Sequence, residues 1–78
     1  MEKILEILEK AESNGCESAR FYAEKIRRGT IDKSPEYILH KVCFSHCFAK
    51  SFWGEDWKNR LDDLVLETRP LEYLSQFI

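Results

Sequence analysis

The sequence predicts an all-α fold, a compact bundle of four to five short helices, and three observations carry that prediction. Apolar residues recur at three- and four-residue spacing along most of the chain, and no segment reads as a strand. Only three Gly and two Pro interrupt the 78 residues, so few positions demand turn geometry and long elements are expected. Residues 35–53 carry apolar groups almost all the way round a helical projection, which marks them as the central buried helix.

The first element spans Met1 to Asn14. Ile4, Leu5, Ile7, Leu8 and Ala11 form its apolar side, while Glu2, Lys3, Glu6, Glu9 and Lys10 fill the other. Asn14-Gly15 ends it, with Gly15 placed for a left-handed position after the helix. The second runs from about Cys16 to Arg28, with Cys16, Ala19, Tyr22, Ala23 and Ile26 as its stripe and Gly29 as terminator. Lys25, Arg27 and Arg28 sit in the last turn, where cations suit the negative end of the helix dipole. Phe21 lies off this stripe and points away from the expected core.

The stretch "TIDKSPE" is the one loop, and Ser34-Pro35 within it is a strong helix start: a capping hydroxyl, then proline at the first helical position. The third helix continues to Trp53 and stops at Gly54. Phe44, Phe48 and Phe52 make one ridge, and Ile38, Val42, Ala49 and Trp53 the next. Glu36, His40, Cys47, Lys50 and Ser51 form the narrow polar strip. Glu55-Asp56 opens the fourth helix, whose stripe is Trp57, Leu61, Leu64 and Val65. Thr68-Arg69-Pro70 starts a short fifth one, with Leu71, Leu74, Phe77 and Ile78 closing the core. No repeat, linker or low-complexity tract divides the chain, so residues 1–78 form a single domain.

Composition narrows the function. Twelve Lys+Arg against fourteen Asp+Glu give a net charge of −2, too balanced for a protein that binds nucleic acid mainly by neutralising phosphates. No apolar run approaches the roughly 20 residues of a membrane span, and "MEKILEILEK" is not a signal peptide, so the expected location is cytoplasmic with no membrane contact. Three cysteines cannot all pair within one chain, which fits free thiols in a reducing compartment.

The stretch "HKVCFSHC", residues 40–47, gathers both histidines and two of the three cysteines. On one continuous helix His40, Cys43 and Cys47 fall within about 60° of one another, while His46 turns to the apolar side as a packed histidine. Zinc modules draw ligand pairs from two separated elements, and the second pair is absent. Cys47 has His40 and Lys50 as cationic neighbours, but mid-helix placement disfavours an activated thiol. The reading is therefore no metal and no cofactor, with His40, Cys43 and Cys47 as the alternative metal or thiol-redox set. Glycine-rich phosphate loops, G-x-S-x-G and H-E-x-x-H are missing, and the expectation is that this is not an enzyme.

Residues 46–74, "HCFAKSFWGEDWKNRLDDLVLETRPLEYL", carry His46, Phe48, Ala49, Lys50, Phe52, Trp53, Gly54, Trp57, Leu61, Pro70, Tyr73 and Leu74. This pattern resembles that of a small family of uncharacterised short proteins of phages, prophages and bacteria. Relatives often carry Asp after the His, where this chain has Cys47. The resemblance implies an accessory protein of phage origin and supplies no activity.

The chain holds more large apolar groups than one small core can hide, which points to a protein-interaction module with a protein partner or a second copy, a homodimer being the commonest form. Phe21, Tyr37, Leu66 and Phe77 are the expected contact residues. A nucleic-acid-binding regulatory module is the alternative, using Arg20, Lys25, Arg27 and Arg28, extended by Lys33 and Lys41.

Overall fold

Helical periodicity becomes helices throughout. A computed structural model describes residues 2–30 and 34–78, and the described residues form six α-helices with no strand. In order they are α1 (Glu2–Ser13), α2 (Glu17–Arg28), α3 (Pro35–Val42), α4 (His46–Trp53), a 3-10 turn (Gly54–Asp56), α5 (Trp57–Leu66) and α6 (Pro70–Ser75). The all-α bundle expected from the sequence is the observed fold. Lys33 lies outside the described residues.

The helix at the centre is α1. Its Ile4, Ile7, Leu8 and Ala11 are fully buried, and it packs on α2, α3, α4 and α6. The opposite side, with Lys3, Glu6 and Glu9, faces solvent, so the stripe read from spacing is the buried face. Its far end is tied across the bundle by Asn14, whose Nδ2 donates to the carbonyl of Ser51 at 2.7 Å.

The 35–53 segment departs from its expected form. It is not one post but two eight-residue helices separated at Cys43, Phe44 and Ser45. The start is as read: the Ser34 Oγ accepts from the Tyr37 N–H at 3.2 Å, and Pro35 takes the first turn. The break is made by a second capping serine. Ser45 accepts from the Phe48 N–H at 3.1 Å and donates to the Val42 carbonyl at 2.9 Å, so one hydroxyl closes α3 and opens α4. A straight 19-residue helix would reach about 28 Å and aim its apolar groups in every direction. Breaking it lets both halves turn apolar faces inward: Ile38, Leu39 and Val42 from α3, Phe48, Ala49 and Phe52 from α4. Both halves pack on α1.

The core contains no buried polar or charged side chain among the described residues, so apolar burial dominates its stability. Aromatic rings fill the end nearest α6. Phe48 stacks on Phe52 at 5.2 Å, Phe52 meets Trp53 edge-on at 5.2 Å, and Phe77 meets Trp53 at 5.7 Å and Tyr73 at 5.5 Å. Lys10 pins this cluster from α1, donating to the Phe77 carbonyl at 3.1 Å with its Nζ 4.5 Å from the Phe52 ring centre. Leu61 and Leu64 of α5 point inward as expected, but Val65 does not: it is 62% exposed. Val65 lies about 100° from Leu64 and about 40° beyond the partly buried Leu61, at the outer edge of the core face.

Candidate functional site

The break in 35–53 rearranges the cysteine- and histidine-rich stretch. Cys43 ends α3 and is fully buried, and burial pushes its thiol up to about 12. His40 is exposed, its ring edge-on to Phe44 at 4.9 Å. Cys47 stands beyond the break in the first turn of α4, exposed. His40, Cys43 and Cys47 therefore do not face a common point, and no group of three or more His, Cys, Asp or Glu among the described residues is arranged to hold a metal ion. His46 is also exposed, with its ring 5.2 Å from Trp57, because it sits at the first position of α4 and not on the apolar side of a longer helix.

Cys47 meets a different cysteine. The end of α1 is a Schellman turn: Gly15 has φ +100°, its N–H donates to the Glu12 carbonyl at 3.0 Å, and the Cys16 N–H donates to Ala11 at 3.1 Å. That turn delivers Cys16 to the N-cap of α2, where its carbonyl accepts from the Arg20 N–H at 3.1 Å. The Cys47 thiol then lies 3.6 Å from the Cys16 sulfur, although the two are 31 residues apart in sequence. Burial raises the Cys16 thiol above its ordinary value and the neighbouring Cys47 thiol adds to the rise, while the Ala19 and Ser18 N–H groups pull the other way. A groove of about 220 Å³ opens beside it, lined by Glu12, Gly15, Cys16, Glu17 and Arg20. Sequence spacing carries no signal for this pair. The readable clue was Ser45, which as a cap moves Cys47 from mid-helix to a helix start.

The apolar candidates separate into two kinds. Leu66 is 83% exposed, Phe21 55% and Tyr37 45%. Lys25 stands over the Phe21 ring with Nζ 4.7 Å from its centre, and Lys41 over Tyr37 at 5.3 Å. Phe77 is partly buried within the aromatic cluster, with Arg60 over its ring at 5.2 Å, so folding accounts for it.

The basic residues of α2 are largely engaged at home. The Arg27 guanidinium holds Glu12 at 2.8 Å and Glu9 at 3.0 Å, contacts that raise its pKa, and Arg20 meets Glu24 at 3.5 Å. These carboxylates reduce the positive potential that a phosphate would meet along Arg20, Lys25, Arg27 and Arg28. A second cavity, about 210 Å³, lies between Glu36, Leu39, His40, Arg69, Pro70 and Leu71. It is smaller than the roughly 300 Å³ at which small-molecule sites begin.

Comparisons with protein-family models, with curated proteins and with solved structures returned no match.

Proposed function

We propose that the chain is a small interaction module that self-associates, acting by its surface and not by catalysis. One observation supports this most: Leu66 is 83% exposed beside Val65 at 62%. On α5 Leu66 lies about 200° from Leu64, opposite the core, where folding has no use for an aliphatic side chain. The occupant that fits is a second copy. Val65 and Leu66 are flanked by exposed Asp62, Asp63 and Glu67, whereas Phe21 on α2 is flanked by Arg20, Lys25 and Arg28. An acid-rimmed apolar site and a base-rimmed aromatic ring on the same chain are complementary in charge and alike in chemistry. Tyr37 on α3, which packs against α2, is a further contact residue in this reading.

Sedimentation velocity over a wide concentration range tests it. The expected result is reversible dimerisation, weakened by added salt, and lost in Leu66→Lys and in Phe21→Ser while both variants keep the helical circular dichroism of the parent. A monomer mass at every concentration overturns the proposal, as does a dimer indifferent to both substitutions.

A further inference from the structure

We propose that Cys16 and Cys47 form a dithiol site that exchanges with low-molecular-weight disulfides of the glutathione class and closes to a reversible internal disulfide. The argument is geometric and independent of self-association. Two cysteines from distant parts of the chain lie in sulfur–sulfur contact at 3.6 Å, each at the start of a helix: Cys16 as the N-cap of α2, Cys47 one residue into the first turn of α4. Burial raises the Cys16 thiol, so Cys16 suits the second, intramolecular attack and not the first. A further approach of about 1.5 Å reaches the ~2.05 Å of a bonded pair.

Exposure assigns the two roles. Cys47 is exposed and Cys16 buried, so Cys47 meets a dissolved disulfide first. Its thiolate attacks one sulfur of glutathione disulfide, forming the protein–glutathione mixed disulfide and expelling one glutathione thiolate, which takes up a proton. The Cys16 thiolate then attacks the Cys47 sulfur, and the second glutathione leaves. Two protein thiols are oxidised by two electrons, one glutathione disulfide is reduced to two glutathiones, and the two protons lost by the protein end on the glutathiones. Cys43 takes no part: it is fully buried at the end of α3.

The test equilibrates the reduced full chain in glutathione buffers of graded oxidised-to-reduced ratio. Acid quenching, alkylation, intact mass and peptide mapping follow. The expected product has lost two hydrogens, carries the Cys16–Cys47 crosslink and returns to the dithiol as the ratio is lowered. Cys16→Ser should instead accumulate one glutathionyl group on Cys47, and Cys47→Ser should leave Cys16 largely unmodified. Cys47 is exposed, so Cys47→Ser keeps the fold, checked by its circular dichroism. A stable mixed disulfide in the parent, a crosslink to Cys43, crosslinks only between chains, or no reaction at the most oxidising ratio each overturns the proposal.

Discussion

Replacing Ser45 with alanine removes both hydroxyl contacts that separate α3 from α4: the bond accepted from Phe48 at 3.1 Å and the bond donated to Val42 at 2.9 Å. Loss of a serine N-cap costs about 1 kcal/mol, and the second, half-buried bond adds about 0.5 kcal/mol. The expected destabilisation is thus about 1.5 kcal/mol, a fall in Tm of about 6–12 °C for a domain of this size. The sign is what makes the experiment decisive. Were 35–53 one uninterrupted helix, the same substitution would exchange a middling helix former for the best one and stabilise by about 0.5 kcal/mol. Ser45→Asp separates the two contacts, because aspartate keeps the cap on the Phe48 N–H but has no proton to donate to the Val42 carbonyl, so it should lose only about 0.5 kcal/mol. Urea unfolding followed by circular dichroism, with the slope held common, reads all three proteins. A Ser45→Ala protein as stable as the parent, or more so, would refute the broken-helix account.

Four further outcomes follow from the packing. Phe48→Ala, which empties a fully buried position in the middle of the aromatic cluster, should cost about 3–5 kcal/mol. Phe21→Ala, by contrast, should fall within about 0.5 kcal/mol by the same urea titration, as surface substitutions do. Burial holds the Cys43 thiol at about 12 against an ordinary 9.0, so the unfolded chain releases that proton first and stability falls as pH rises from 9 toward 12. By pH 10 the Cys43 contribution is about 1.4 kcal/mol lost, measured as the difference in pH slope between the parent and Cys43→Ala. Lys10→Met removes the bond to the Phe77 carbonyl and the cation over Phe52. It should cost about 1–2 kcal/mol, with amide exchange accelerating first in α6.

Periodicity made most of the fold legible, and its failures share a cause. The inner face of α1, the Ser34-Pro35 start, the glycine stops and the Leu61–Leu64 face all follow from local spacing and terminus chemistry. The 35–53 segment misled because its apolar groups fit a buried helix at every angle, and a pattern without a polar face cannot show where the axis bends. Ser45 held that information, as a hydroxyl whose local bonds compete with the helix. Everything downstream moved with the bend: His46 to the surface, Cys47 to a helix start, and the His40–Cys43–Cys47 grouping apart. The Cys16–Cys47 contact depends on α2 meeting α4 across the bundle, a tertiary fact with no periodic trace.

The position of α1 also bears on how the chain is made. Its apolar face is covered by α2, α3, α4 and α6, the last contributing Leu74 from near the other end of the sequence. On the ribosome α1 therefore emerges before every helix that covers it, and α6 emerges after α2, α3 and α4. Until the residues around Leu74 emerge, that greasy surface has no complete shelter, so a nascent chain stalled short of α6 is the form a chaperone should hold longest.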